Sequence, residues 1–239
     1  MRFWAVIPAA GVGRRMGGGQ PKQYRPLLGR PVIGWALQRL LDHPQVGGAV
    51  VALAADDPYW GSLGLDHAKS IHPVVGGAER RDSVRAALAY LLEHAGRDDR
   101  VLVHDAVRPC LSSEELDRLI EAGGAAADGA LLATPVRDTL KRAEAQDDVV
   151  EHTVPRGGLW QAQTPQLFPL WRLLNALDAA LEAGVEVTDE AQAVEWFGGR
   201  PRLVTGSASN LKITHEADMA LAAAVLQAQQ KEAPGRGTA

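Results

Sequence analysis

Residues 3–22, FWAVIPAAGVGRRMGGGQPK, carry the strongest structural signal in the chain. The apolar run at 3–7 predicts a buried strand, and small residues, glycines and cations follow it directly. Glycines allow backbone N–H groups to approach phosphate oxygens, and the cations neutralise the charge of those oxygens. The segment therefore predicts a strand that leads into a phosphate-binding loop.

Apolar runs typical of buried strands alternate with helical periodicity along the rest of the chain. Further strand runs occur at 48–54, 71–75, 101–103, 130–133 and 203–205. Helical stripes lie at 33–41, 84–92, 112–120, 170–181 and 217–228. This alternation predicts a Rossmann-like α/β fold with a mainly parallel sheet and helices on both faces. Ligands of such sheets bind beyond the carboxyl ends of the strands, so we expect the chemistry in the strand-to-helix loops.

One domain is predicted over residues 1–230, and one polar stretch interrupts its pattern. Residues 135–158 show little core periodicity, which predicts either a solvated loop or a β-arm that packs on a second subunit. Residues 231–239, KEAPGRGTA, are predicted to be disordered.

The composition favours a cytoplasmic enzyme that acts on small molecules. The chain has 239 residues, with 25 Lys and Arg against 29 Asp and Glu, and the cations are spread along it. We therefore expect no nucleic-acid partner.

The single cysteine, Cys110, excludes an intrachain disulfide and is predicted to be a small buried hydrophobe. No signal peptide and no apolar run of about 18 residues is seen, so no membrane partner is expected.

Two other phosphate-binding motifs fail on particular residues. A P-loop needs Gly-Lys before its Ser or Thr, but Lys22 follows Pro21. A dinucleotide fingerprint needs a third glycine where Met16 stands, and an acidic residue after the second strand. Asp42 has the right separation but falls at the end of a predicted helix. An NAD-dependent oxidoreductase is therefore disfavoured.

The pattern P-A-A-G-x-G-x-R-M followed by P-K-Q resembles the signature loop of nucleotidyltransferases that make sugar nucleotides. Six later segments resemble motifs of the 2-C-methyl-D-erythritol 4-phosphate cytidylyltransferase family. They are VGGAERRDSV (75–84), LVHDAVRP (102–109), PVRDTLK (135–141), QTPQ (163–166), VTDE (187–190) and NLKIT (210–214). The resemblance spans about residues 5–226 in order, and it implies a nucleotidyltransferase fold with a projecting β-arm.

The resemblance implies an activity. Members of the family transfer CMP from CTP to 2-C-methyl-D-erythritol 4-phosphate, which gives 4-diphosphocytidyl-2-C-methyl-D-erythritol and pyrophosphate in non-mevalonate isoprenoid synthesis. They use Mg²⁺ or another divalent cation and form homodimers through an exchanged arm. The residues leave open another polyol phosphate as acceptor, such as ribitol 5-phosphate. A nucleotide-sensing protein on the same scaffold would be expected to lack Lys22 or Asp105, and both are present.

By the same resemblance, residues are assigned to three roles. The catalytic residues are Arg15, Lys22, Arg156 and Lys212. The nucleotide is bound by Pro8, Ala9, Ala10, Gly11, Gly13, Gly77, Ser83, Asp105 and Ala106. The acceptor is bound by Asp105, Arg108, Thr139, Arg156, Thr164, Thr188 and Lys212, and Asp105 is also the metal ligand. Ala78 and Pro155 depart from the family pattern, but neither removes a residue assigned to chemistry.

Elementary chemistry agrees with this set of side chains. The acceptor phosphate is already an anion, so its attack on the α-phosphorus of CTP needs no strong general base. The barrier lies in bringing polyanions together and stabilising their charge, which calls for cations and a divalent metal. Structural alternatives exist for four residues: Asp105 as a helix cap, His104 as a core residue, Thr188 at a helix start and Lys212 as a surface lysine.

Overall fold

A computed structural model describes residues 1–11, 20–96, 98–144 and 147–232. Its strands are β1 (Phe3–Pro8), β2 (Pro26–Leu27), β3 (Arg30–Pro31), β4 (Val46–Leu53), β5 (Ser70–Val75), β6 (Arg100–Val103), β7 (Ala130–Pro135), β8 (Leu140–Ala143), β9 (Val150–Val154), β10 (Trp160–Pro169) and β11 (Arg202–Thr205). Its α-helices are α1 (Val32–Leu41), α2 (Arg80–His94), α3 (Ser113–Gly123), α4 (Leu170–Glu182), α5 (Glu190–Trp196) and α6 (Ala217–Glu232).

Seven strands form the central sheet, in the order β11-β7-β10-β6-β1-β4-β5. β1 pairs in parallel with β4 and β6, β4 with β5, and β7 with β11. β10 runs antiparallel to both of its neighbours, β6 and β7. The sheet is therefore mainly parallel, as predicted, with one reversed strand inserted near its middle.

Alternate residues of β1 point to the two faces of the sheet. Phe3, Ala5 and Ile7 pack in a buried cluster with apolar side chains of α1 and α3. Trp4 and Val6 pack in a second cluster with side chains of α2 and α4. Helices thus cover β1 on both faces, which confirms the predicted layering and explains why its sequence is a continuous apolar run.

The sequence did not predict β10. Its register with β7 shifts between Ala162 and Gln166, and this shifted segment contains three buried polar side chains, Gln163, Thr164 and Gln166. Their hydrogen-bond partners lie 23 to 60 residues away in the sequence. Apolar alternation is therefore absent where the strand is most buried, and a periodicity rule has nothing to detect there.

The polar stretch at 135–158 forms a hairpin rather than a solvated loop. β8 and β9 pair antiparallel in a separate two-stranded sheet, and most of their residues are exposed. The Val136 N–H donates to the Leu159 carbonyl at 3.0 Å, so the base of the hairpin is closed where β7 ends and β10 is about to begin. The predicted β-arm is present, and its packing on a second subunit stays a prediction.

The end of the chain departs slightly from expectation. α6 ends at Glu232, so the prediction of disorder is wrong for Lys231 and Glu232, while residues 233–239 lie outside the described part.

Cys110 is buried against α6, and its Sγ lies 3.6 Å from the Ala222 carbonyl oxygen. The burial of Cys110 confirms its predicted role as a small buried residue, and burial raises the pKa of its thiol to about 12. Among the described residues, no helix is long and apolar enough to cross a membrane.

Asp99 fastens the first strand to the loop before β6. Its carboxylate accepts hydrogen bonds from the Arg2 N–H at 2.7 Å, Trp4 Nε1 at 3.1 Å and the Gly96 N–H at 3.0 Å. Burial opposes ionisation of this carboxyl, but the three donors outweigh it and hold the pKa below its ordinary value.

We expect Asp99→Asn to lower the free energy of unfolding by about 1–3 kcal/mol at neutral pH, since charge-assisted hydrogen bonds are lost. Because the folded-state pKa is depressed, the difference from wild type should be full above about pH 4 and should disappear as the pH falls further. Urea unfolding across pH 3–7 measures this. The exposed neighbour Asp98→Asn is the control, and equal effects of the two substitutions would contradict the assignment.

Candidate active site

A cavity of about 200 Å³ lies beyond the carboxyl ends of β1, β5 and β6. Its lining includes every described residue predicted to bind the nucleotide, namely Pro8, Ala9, Ala10, Gly11, Gly77, Ser83, Asp105 and Ala106. Lys22 and Lys212 line it as well. The predicted residues Gly13 and Arg15 lie outside the described part of the chain.

Gln23 supports the segment that leaves β1. Its Nε2 donates to the carbonyls of Ala9 at 2.9 Å and Gly11 at 3.0 Å, and the side chain is buried. The Ala9 N–H in turn donates to the Ala52 carbonyl at 2.7 Å, which extends the pairing of β1 with β4. The start of the glycine-rich loop is thus fixed by an amide side chain to which sequence analysis assigned no role.

A second backbone turn forms the opposite wall of the cavity. The Ser83 hydroxyl accepts from the Gly77 N–H at 3.2 Å and lies 3.2 Å from the Glu79 carbonyl oxygen. A Cβ on Gly77 would fall 2.3 Å from the Cβ of Asp82, so only glycine fits there. Ser83 therefore shapes this wall through the backbone, in addition to lining it.

Asp105 lies at the centre of the site, just beyond β6. Arg80 Nε is 3.1 Å from its Oδ1, while Lys212 Nζ at 2.9 Å and Arg108 Nε at 3.6 Å face its Oδ2. Burial opposes ionisation of this carboxyl, but the charges of Arg80 and Lys212 outweigh it, and the pKa lies far below its ordinary value. Asp105 is therefore a permanent anion among three cations.

His104 and Thr164 hold the backbone on which Asp105 sits. The Asp105 N–H donates to Thr164 Oγ1 at 3.0 Å, and that hydroxyl lies 3.0 Å from His104 Nδ1. His104 Nε2 faces the Arg108 carbonyl at 2.9 Å, so Nε2 carries the proton and Nδ1 accepts from Thr164. Burial lowers the pKa of His104 to about 4, which keeps the ring neutral. His104 therefore has a structural role, as the sequence analysis allowed when it gave His104 as a possible core residue.

The two predicted lysines differ in their surroundings. Lys22 is only 9% exposed, and its Nζ donates to the carbonyls of Ile213 and Thr214 at 3.5 and 3.2 Å. It therefore joins the end of the first loop to the segment that carries Lys212. The Lys212 side chain is 46% exposed and reaches Asp105 from the rim. Lys212 is thus not an ordinary surface lysine.

A second cavity adjoins the first and shares Arg80, Asp105 and Lys212 with it. Three further predicted acceptor residues line this second cavity, namely Arg108, Thr164 and Thr188. The other two predicted acceptor residues, Thr139 and Arg156, are exposed on the hairpin and are not brought to either cavity by this chain. The charged centre at Asp105 therefore lies where the cavity lined by the predicted nucleotide residues meets the cavity lined by the predicted acceptor residues.

Thr188 and Asp189, which directly precede α5, border this second cavity. Asp189 caps the helix by accepting from the Gln192 N–H at 2.9 Å, and Gln166 Nε2 donates to the other oxygen of Asp189 at 3.0 Å. Thr188 Oγ1 donates to Gln192 Oε1 at 2.9 Å. Thr188 does precede a helix, as its structural alternative proposed, yet it remains exposed beside the cavity.

Arg80 and Glu190 complete the charged centre, and sequence analysis assigned neither to it. Arg80 is the first residue of α2 and Glu190 the first of α5, and both nitrogens of the Arg80 fork donate to the Glu190 carboxylate. Burial alone would lower the pKa of Arg80, but Glu190 and Asp105 raise it above its ordinary value. The two residues are separated by 110 positions in the sequence, so no local pattern predicts their pairing.

The described residues contain no cluster of three or more acidic, histidine or cysteine side chains that could hold a metal ion by themselves. A shared site fits the donor set better, because Mg²⁺ commonly binds one or two carboxylates together with substrate phosphates. Asp105 offers an ionised carboxylate at the meeting point of the two cavities, and it is the residue that would hold such an ion.

A mainly parallel sheet that carries a cavity lined by backbone and small residues, beside an acidic residue and several cations, is typical of a nucleotidyltransferase. The sequence model of one family, described as IspD, 2-C-methyl-D-erythritol 4-phosphate cytidylyltransferase, matches residues 3–228. The chain belongs to this family.

Individual relatives agree with that assignment. The 2-C-methyl-D-erythritol 4-phosphate cytidylyltransferase of Halorhodospira halophila is 76% identical over 233 residues, which are 96% of each chain. A crystal structure of a 4-diphosphocytidyl-2C-methyl-D-erythritol synthase is similar with a TM-score of 0.83 and 41% identity, covering 94% of this chain and 98% of that one. The enzyme from Francisella tularensis is similar with a TM-score of 0.81 and 34% identity, over 94% and 100% of the two chains.

We expect Thr164→Val to reduce both stability and turnover. The substitution leaves the Asp105 N–H and His104 Nδ1 buried without partners, which costs about 1–3 kcal/mol of unfolding free energy. Displacement of Asp105 should lower kcat roughly 10- to 100-fold. Thermal unfolding and steady-state kinetics measure the two effects.

Two variants serve as controls for this prediction. Thr164→Ser keeps the hydroxyl and should retain most activity. Thr134→Val removes a hydroxyl from the adjacent strand β7, where its side chain donates a long hydrogen bond of 3.5 Å to Gln161 Oε1, and should resemble wild type. Wild-type kinetics for Thr164→Val would show that Asp105 needs no support from this hydroxyl.

Proposed function

We propose that the chain transfers CMP from CTP to 2-C-methyl-D-erythritol 4-phosphate, with release of pyrophosphate. The observation that carries the proposal is the position of Asp105, which is shared by the two cavities and surrounded by Arg80, Arg108 and Lys212. The 76% identical relative bears the name of the same activity. A single charged centre between two phosphate-bearing substrates is what such a transfer requires.

The reaction moves a nucleotidyl group between two phosphates. An oxygen of the acceptor phosphate forms a bond to the α-phosphorus of CTP, and the bond from that phosphorus to the bridging oxygen breaks, so that pyrophosphate leaves. His104 cannot be the general base, because its ring is buried and both nitrogens are engaged. None is needed, since the attacking oxygen is already anionic.

The cations have complementary tasks in this scheme. Lys22 stands on the nucleotide side of the site, and we assign it, with Arg15, to the triphosphate. Lys212 and Arg108 line the acceptor cavity and would offset the charge of the incoming phosphate. Removal of one donor that stabilises developing charge typically costs about 10²–10³ in kcat.

The divalent cation belongs to the same centre. We assign Asp105 as its protein ligand, with the phosphates of CTP as the other ligands. When bound, the ion would neutralise charge on the transferring phosphate. Asp105 suits this role because the neighbouring cations hold the pKa of its carboxyl group far below its ordinary value, which favours the ionised form.

We expect CTP to be used faster than ATP or GTP, because Ala9, Ala10 and Gly77 line a pocket suited to a pyrimidine. We expect CTP to be used faster than UTP as well, because backbone groups of this pocket can read the amino and carbonyl positions of cytosine. Pyrophosphate release should be measured with each nucleotide, with 2-C-methyl-D-erythritol 4-phosphate or ribitol 5-phosphate as acceptor, and with Mg²⁺ or EDTA. Asp105→Asn preserves the volume of the side chain and removes its charge, so it tests the role of that charge and should lose most activity.

Three results of that assay would overturn parts of the proposal. Faster turnover with a purine nucleotide would refute the base preference. Faster turnover with ribitol 5-phosphate would favour the alternative acceptor, and full activity in EDTA would exclude the metal.

We propose that the protein acts in the cytoplasm as a homodimer, and that the hairpin crosses to the partner subunit. Thr139 and Arg156 are both exposed on or beside this hairpin, away from the cavities of their own chain. An arginine suits the task assigned to Arg156, since its planar fork binds a phosphate through two hydrogen bonds. Exchange of the arms would complete each acceptor cavity with groups from the other subunit.

We expect Lys212→Ala and Arg156→Ala to be inactive separately and to complement each other in mixed dimers. If Arg156 acts in trans, the Arg156→Ala subunit keeps its own Lys212 and receives an intact Arg156 from its partner. Mixed dimers, isolated through two different tags, should then recover about half of the wild-type activity, since one of their two sites is whole.

Lys212 is preferred to the buried Lys22 for this test because its side chain is 46% exposed, so the substitution threatens folding less. Size-exclusion chromatography of each parent shows whether dimers form. Mixed dimers that are no more active than either parent would rule out the exchanged arm.

A further inference from the structure

We propose that Glu190 and Arg80 are positioning residues that hold the Asp105 carboxylate in its working orientation. The three side chains form one continuous line of ion pairs, from Glu190 through Arg80 to Asp105. The inference rests on the proposed function, because it concerns how Asp105 is made ready for the transfer.

The geometry uses every nitrogen of one guanidinium group. Both terminal nitrogens of Arg80 donate to the two oxygens of Glu190, and Nε donates to Asp105 Oδ1 at 3.1 Å. A planar group held on two edges by two carboxylates cannot rotate without breaking several hydrogen bonds. Arg80 therefore fixes the direction from which Asp105 Oδ1 is held.

Local helix energetics do not explain the position of Arg80. Arg80 occupies the first position of α2, where the helix dipole disfavours a cation. Glu190 is only 1% exposed, and a buried carboxylate is costly unless it is paired. The charge of Arg80 is unfavourable at that helix position and the charge of Glu190 is unfavourable when buried, and the ion pair between them offsets both penalties.

Glu190 is itself held in place. Asp189 caps α5, and Gln166 of β10 both donates to Asp189 at 3.0 Å and accepts from the Ala191 N–H at 2.9 Å. The first turn of α5 is therefore fixed to the same strand that supplies Thr164 to the Asp105 backbone. The central sheet therefore sets the position of Glu190, and the Glu190 carboxylate in turn fixes the position of Arg80.

Lys212 differs from Arg80 in this respect. Its side chain is 46% exposed and contacts the other oxygen of Asp105, whereas Asp105 itself is 8% exposed at its side chain. Lys212 is the partner that can move toward an incoming phosphate. Arg80 is held by Glu190, so it does not move with Lys212. Arg80 therefore keeps the Asp105 carboxylate in place after Lys212 has moved away.

A double-mutant cycle tests whether Glu190 acts through Asp105. Pyrophosphate release should be measured for wild type, Glu190→Gln, Asp105→Asn and the double variant, with KM for CTP and thermal unfolding recorded for each. We expect Glu190→Gln to lower kcat about 10- to 100-fold, as is typical for residues that orient a ligand side chain, with a smaller change in KM. In the Asp105→Asn background the same substitution should lower kcat no more than about twofold further.

Two additional variants keep the test decisive. Asp178→Asn breaks another arginine–aspartate pair between α2 and α4, with Arg85 at 2.6 Å, and should leave kcat unchanged. Should Glu190→Gln fail to fold, Arg80→Lys replaces it in the same cycle, since that side chain is 31% exposed and lysine keeps the charge but lacks the fork.

The outcomes separate this inference from the proposed function. Equal fold-losses from Glu190→Gln, or from Arg80→Lys, with and without Asp105 would overturn the positioning role. Absence of CTP-dependent pyrophosphate release by the wild type would refute the proposed function and this inference with it. A small second loss in the presence of an active wild type supports both.

Discussion

The buried charge of Asp105 is the interaction on which the rest of the site depends. A carboxylate that is only 6% exposed would be costly alone, and it is stable here because Arg80, Arg108 and Lys212 surround it. Those cations come from α2, from the loop after β6 and from the segment after β11. The charge therefore draws together parts of the chain that lie more than 100 residues apart.

β10 positions the groups that support Asp105 and the start of α5. It lies antiparallel between β6 and β7, and its register shift brings Thr164 against the backbone of Asp105 and Gln166 against the start of α5. Asn210 donates to the Thr164 carbonyl at 2.9 Å, so the Lys212 segment is tied to the same place. One reversed strand thus supports both cavities.

Sequence predicted the parts of this molecule that local rules control. The apolar runs identified six strands of the central sheet. The residues predicted around the glycine loop and the Gly77 turn line one cavity, because a close backbone approach needs small residues. The resemblance predicted Arg108 and Thr188 as acceptor residues, and both line the second cavity. The sequence did not predict β10 or the pairing of Arg80 with Glu190. Buried polar groups that pair with residues distant in the chain produce no periodic pattern in the sequence.

The shared wall between the cavities has a consequence for inhibitor design. Arg80, Asp105 and Lys212 border both spaces, so under the proposed function the two substrates would bind next to each other. A single molecule that joins a cytidine moiety to a polyol phosphate would occupy both cavities after losing its translational freedom only once, so its second half would bind at a high effective concentration. Such bisubstrate compounds would draw selectivity from the acceptor half, since many other proteins also bind cytidine nucleotides.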